Sequence, residues 1–143
     1  MSGVYAKNRK PTKVDFIETT WELRIYTLNI CAKFPQRYRV WITDYIVKFS
    51  AEAQIHAFEA NSIYPKNQED VKRRKAELTK AYNALDQMYM QIDLAYQTFR
   101  FDNSTDGKTN DEILKIWLPM ISRSQKLIKG VMSSDRKRFK DLP

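Results

Sequence analysis

The residues able to do acid–base, nucleophilic or metal chemistry are few, and their spacing does not suit it. The chain holds one histidine, His56, and one cysteine, Cys31. A di-iron site in a helical bundle wants glutamate three residues before histidine, twice over. Here Glu52 stands four residues before His56, and there is no second histidine. The helical RNase pattern, with arginine shortly before histidine, needs an arginine at one of positions 49 to 51, which are Phe49, Ser50 and Ala51. Cys31 has no neighbouring histidine and no CxxC partner, so no thiolate nucleophile is set up. Neither glycine-rich phosphate loop, GxxxxGK[ST] or GxGxxG, occurs. The expectation is a protein that is no enzyme and takes no metal and no cofactor. His56 is expected to be a structural histidine in a helix seam.

The chemistry that remains is cationic. Lysine and arginine number 25 against 17 acids, a net charge of +8. Residues 1–13 contribute Lys7, Arg9, Lys10 and Lys13 with no acid, and residues 119–143 carry seven basic and two acidic residues. The stretch between is close to neutral. Charge gathered this way supplies a field for a polyanion, although charged ends also serve solubility alone. Lys72, Arg73, Arg74 and Lys75 occupy the first turns of one predicted helix. Arg123, Lys126 and Lys129 step by three along another, and Arg136, Lys137 and Arg138 extend that ridge, with Lys140 beyond. Such ridges touch successive phosphates with salt-sensitive, sequence-tolerant affinity. Around Arg37 and Arg39, guanidinium groups alternate with Tyr38 and Trp41. That pattern can stack on unpaired bases, and it can equally seat a hairpin between two helices.

Helices must position these groups. Three glycines and five prolines in 143 residues are too few for the turns of an all-β fold, and apolar residues recur at helical spacing. Helices are predicted over about 14–34, 35–63, 67–100 and 109–133. In the first, Ile17, Trp21, Ile25, Leu28 and Ala32 form the stripe, with Phe16, Leu23 and Ile30 as a second row. The second carries a heptad seam of Ile42, Ile46, Phe49, Ala53, His56, Ala60 and Ile63. In the third, Val71, Leu78, Leu85, Ile92 and Phe99 fall at every seventh residue beside a row of Tyr82, Tyr89 and Tyr96, with Asn67 available as a cap. A polar loop at 102–107 precedes Thr109 and Glu112, a capping box for the fourth helix. That helix should be kinked or split by Pro119.

Four amphipathic helices on short connections predict an all-α, up-down-up-down four-helix bundle over residues 14–134. A flexible basic arm (1–13) and a basic tail (135–143) flank it. Sustained heptads with spare apolar rows also suit packing between subunits, so a homo-oligomer is expected. No run approaches the roughly 18 apolar residues of a membrane span. A single cysteine and the absence of an apolar leader fit a cytoplasmic setting.

The segment Lys33-Phe34-Pro35-Gln36-Arg37-Tyr38-Arg39, between two long helices, resembles the K-F-P-[KR]-x-[YE]-[RK] signature of small bacterial four-helix-bundle proteins. These are the ribosomal-RNA intervening-sequence proteins and the accessory variability determinants of diversity-generating retroelements. Trp117 and the stretch Ile128-Lys129-Gly130 also match, while Gln36 departs from the usual basic residue and Pro119 interrupts the last helix. The resemblance spans about residues 14–134 and is sharp only over the KFP segment. It implies a homopentameric barrel with a basic surface that binds a reverse transcriptase and its template RNA. The alternative from the residues alone is a structural oligomer or protein–protein adaptor that takes no nucleic acid. A helical DNA-binding regulator ranks last, for want of a helix-turn-helix with a glycine turn.

Overall fold

Apolar side chains at intervals of three and four residues can be buried together only if the chain winds into helices and lays those stripes against one another. The computed structural model, which describes residues 15–101 and 110–143, has four such helices. They are α1 (Asp15–Cys31), α2 (Asp44–Ser62), α3 (Gln68–Phe99) and α4 (Asn110–Arg138). Helix α2 packs on α1 and α3, and α4 closes the ring against α1 and α3. Neighbours run antiparallel, as their cross-links show. Arg24 reaches Gln54, His56 meets Glu77 while Ala60 meets Arg74, and Asp86 meets Gln125 while Arg74 meets Asp135. The fold is therefore an all-α four-helix bundle, with no strand among the described residues. The basic arm, the polar loop and the Thr109 cap lie outside the described residues.

The core follows the heptad rows. Leu78, Leu85 and Ile92 of α3, Ile46, Ala53, Ala57 and Ala60 of α2, and Ile113, Trp117, Ile121 and Ile128 of α4 are all buried. Asn67 caps α3 as anticipated, its Oδ1 accepting from the Asp70 N–H at 2.9 Å. Helix α1 corrects the sequence reading. Its core row is Phe16, Leu23 and Ile30, whereas Ile25, Leu28 and Ala32 of the expected stripe are exposed, with Ile17 and Trp21 half-buried. Both rows are apolar, and helical periodicity alone does not say which of them faces inward. Thr20 and Thr27 lie beside the inner row, and the buried Trp117 indole N–H donates to Thr27 Oγ1 at 3.0 Å.

The KFP segment is the corner of the bundle. Helix α1 tightens at its end, with Lys33 and Phe34 donating three residues back, and Pro35 opens a 3₁₀ turn at Gln36–Tyr38. A π-helical turn at Arg39–Thr43 then leads into α2, so the predicted single helix from residue 35 is three consecutive windings. Phe34 is buried, stacks on Phe101 at 5.2 Å and meets Phe99 edge-on at 4.8 Å, and Tyr38 stacks on Phe99 at 5.1 Å. This cluster holds Arg100 and Phe101 in left-handed backbone at φ 66 and 64, a conformation that costs roughly 1–2 kcal/mol for each non-glycine residue. The fully buried Phe101 ring and the Arg100 guanidinium lying 4.8 Å from the Tyr96 ring offset that cost.

At the fourth helix one expectation is narrowed and another corrected. Of the kink or split expected at Pro119 the split is absent, since α4 runs through it as one helix; its ring sits on the exposed side, where water can serve the carbonyl left without a backbone donor. The basic segment from residue 135 is not a loose tail. Asp135–Arg138 continue α4, Phe139 is buried, and Gln68 fastens residues 139–143. The Gln68 side-chain amide donates to the carbonyls of Phe139 and Leu142 at 2.9 and 3.0 Å, and its backbone N–H to that of Pro143 at 2.8 Å.

Candidate nucleic-acid interface

The twelve cationic candidates divide by position. Lys72 and Lys75 stand exposed on the first turns of α3, and Arg136 and Lys137 on the last turn of α4, which lies alongside. Lys75 and Arg136 line one small cleft of about 120 Å³ with Val71 and Met132. Two turns up α4, the Lys129 ammonium sits 4.7 Å from the centre of the Tyr82 ring of α3, and Lys126 is exposed a turn beyond. Lys72, Lys75, Lys126, Lys129, Arg136 and Lys137 have no carboxylate partner among the described residues. Their charge is therefore available to a ligand. The C-terminal end of α4 also favours cations through its dipole.

The other candidates are engaged or elsewhere. Arg73 pairs with Asp70 at 3.2 Å, and Arg138 pairs with Asp135 at 3.3 Å while covering the Phe139 ring. A step of three falls short of the 3.6-residue turn, so the 123–126–129 ridge drifts around α4. Arg123 is displaced by about 120° from Lys129. Arg37 and Arg39 lie at the opposite end of the bundle, beside the end of α3; about 27 residues of helix at ~1.5 Å each put them some 40 Å from Lys72. Both are exposed, and Arg39 lies 3.6 Å from Asp44.

Arg74 is the clear correction: it is buried and cannot contact phosphate. Its Nε donates to Asp135 Oδ2 at 2.6 Å, and its Nη1 donates to the Ala60 carbonyl at 3.0 Å and to that of Ile63 at 3.4 Å. One guanidinium thus ties the end of α2, the start of α3 and the end of α4. The signal was present in the sequence, because residue 74 falls on the Val71–Leu78 row and residue 135 continues the Ile128–Val131 row of α4.

His56 likewise bridges helices. Its Nδ1 lies 2.7 Å from Glu77 Oε2 and 3.8 Å from Glu59 Oε2, and Lys80 Nζ is 3.3 Å from Glu77 Oε1. The three ligand-type residues come within 4.8 Å of one another. The imidazole and the Lys80 ammonium already satisfy Glu77, so the group serves as a clasp between α2 and α3. Burial alone would raise the Glu77 carboxyl, but hydrogen bonds from His56 and Lys80 outweigh it and hold the pKa below its ordinary 4.5. A lowered carboxylate pKa adds stability that is present above the unfolded value and lost as pH falls through the folded one. Glu77→Gln is therefore expected to flatten the loss of stability on acidification below pH 4.5, read from urea midpoints across pH. An unaltered pH profile would assign the clasp no role. Burial pushes the Cys31 thiol up to about 12, which leaves it protonated and inert at neutral pH.

The opposite side of the ring has another character. The outward stripe of α1 meets α2 where Leu28 and Val47 line one cavity, and Ile25 and Leu28 of α1 and Ile55 and Phe58 of α2 are each more than two-fifths exposed. The hydrogen-bonded pair Arg24–Gln54 crosses this face at 2.8 Å. Comparison of the chain with protein-family models, with curated proteins and with solved structures returns no match.

Proposed function

We propose that the chain is a non-catalytic, RNA-binding accessory subunit that holds structured RNA against the α3/α4 face. The observation that carries this reading is the set of unpaired cations, Lys72, Lys75, Lys126, Lys129, Arg136 and Lys137, displayed by two helices in fixed register. Six such contacts are enough for strong, salt-dependent binding of a phosphate backbone. Self-association through the α1/α2 apolar face fits the same reading. In the ring order α1-α2-α3-α4 that face lies opposite the cations, so assembly and RNA do not compete for surface. A ring of five copies would present the cations outward. A reverse transcriptase as protein partner, with its template as the RNA, follows from the resemblance of the KFP segment.

The apolar face also favours the second reading, a structural adaptor that assembles without nucleic acid. Sedimentation velocity of the full chain, alone and with a structured RNA at low and moderate salt, separates the two. The proposed function expects an oligomer near five subunits that carries RNA at low salt and sheds it as salt rises. An oligomer that ignores RNA at both salts leaves the adaptor. Leu28→Asp with Phe58→Asp is expected to yield monomers with unchanged helical circular dichroism, because both side chains are already exposed in the single bundle. An unchanged sedimentation coefficient would remove this face from any assembly.

A further inference from the structure

A second exposed stripe, at the corner of the bundle, has aromatic and cationic groups together. Arg37, Trp41, Tyr45 and Lys48 follow one another at steps of four, four and three, all exposed, while Ile42 and Ile46 between them are buried. Trp41 is 70% exposed and Tyr45 45%. An indole left that far in water is costly unless something covers it. The π-helical turn at Arg39–Thr43 sets Trp41 outward ahead of the first turn of α2. Trp41 and Tyr45, both exposed where the π-helical turn passes into α2, can each take one base of a single strand.

We infer that this stripe binds an unpaired segment of nucleic acid, with Trp41 and Tyr45 stacking on bases and Arg37, Arg39 and Lys48 holding the flanking phosphates. The inference rests on the nucleic-acid reading above and adds a second site to it, with its own chemistry. On the α3/α4 face the unpaired cations predominate, and Tyr82 there is half-buried under Lys129, so that face suits a duplex backbone. Tyr89, further along the same row, is exposed but has no cation placed on its ring among the described residues. The corner offers exposed rings between cations, the arrangement that single-strand binding uses. Its edge meets the α1/α2 face, where Arg39 lines one cavity with Leu28 and Val47, but its exposed rings stand between cations, whereas a contact between copies is depleted of charge at its core. The engaged acids do not cancel those cations. Asp44 lies 3.6 Å from Arg39, and Glu52 lies 4.0 Å from Lys48, both at the surface where phosphate competes in a salt-dependent way. With some 40 Å between the sites, one RNA holding a hairpin and an unpaired flank can occupy both.

The test measures affinity of the full chain for short oligo(rA) and for an RNA hairpin without unpaired flanks, with sedimentation velocity alongside. Trp41→Ala is expected to weaken oligo(rA) binding on the order of tenfold, the scale of one lost base stack. Trp41→Phe should retain most of the affinity and Tyr45→Ala lose a comparable part. Hairpin affinity and assembly state should stay as in wild type. Oligo(rA) binding that is indifferent to Trp41→Ala overturns the inference and leaves the α3/α4 reading intact. A changed sedimentation coefficient in Trp41→Ala overturns it differently, by assigning the ring to a protein interface. A wild-type chain that binds oligo(rA) but not the hairpin would count against the α3/α4 reading alone.

Discussion

Reversing Lys75, Lys129 and Arg136 together to glutamate is expected to weaken RNA binding by on the order of a hundredfold at moderate salt. Each of these cations is exposed and free of a carboxylate partner, so each can release a counterion from the RNA when it binds. Three lost contacts should also reduce the slope of log affinity against log salt by roughly 2–3. The fold should survive, because none of the three anchors the core. Lys129 gives up only its contact with the Tyr82 ring, a cation–π contact of about 0.5–1 kcal/mol at an exposed site. The same reversal applied to Arg37 and Arg39 should leave hairpin binding nearly unchanged, since those residues sit at the far end of the bundle. Equal losses from both sets would mean that only net charge matters and that no face is favoured.

The second large effect concerns stability. Asp135→Ala is expected to destabilise the bundle by about 3–5 kcal/mol, because it strands the Arg74 guanidinium in the core with its charge uncompensated. Arg138 would also lose its partner, but its guanidinium is in reach of water, so that loss adds little beside the stranded Arg74. Changing both buried members, Arg74→Met with Asp135→Leu, should recover much of the loss, since an apolar pair of similar volume avoids the desolvation of two ions. Recovery should be incomplete, because the Ala60 and Ile63 carbonyls at the end of α2 also accept from Arg74. Urea midpoints of the two variants decide this. A double variant no better than Asp135→Ala alone would show that Arg74 acts mainly through those carbonyls.

The sequence carried the seams plainly and the facing of the rows poorly. The α3 heptad from Val71 to Phe99 and the α2 seam from Ile42 to Ile63 required helices packed on both neighbours, and they lie where that pattern puts them. Helix α1 misled because two apolar rows share it. Only packing shows that the Phe16–Leu23–Ile30 row fills the core while Ile25 and Leu28 of the other row stay outside. Arg74 misled through charge, since a basic quartet reads as surface even though its third member falls on the core row. The residues after Ser134 read as a tail from composition, and what fixes them is Gln68, some seventy residues earlier in the chain.

The aromatic cluster at the corner was half-legible. Phe34 and Tyr38 seat the hairpin, in line with one of the two sequence readings, and their burial against Phe99 and Phe101 accounts for aromatic residues at those positions. Trp41 is left to the other reading. Spacing alone did not divide the segment in this way, because the π-helical turn changes which residues point outward.

The most direct measurement is the salt dependence of affinity for a structured RNA, wild type beside the Lys75, Lys129 and Arg136 triple reversal. Binding through the α3/α4 face predicts a steep linear fall of log affinity with log salt in the wild type and a slope shallower by about 2–3 in the variant. Two shallow and indistinguishable slopes would contradict it.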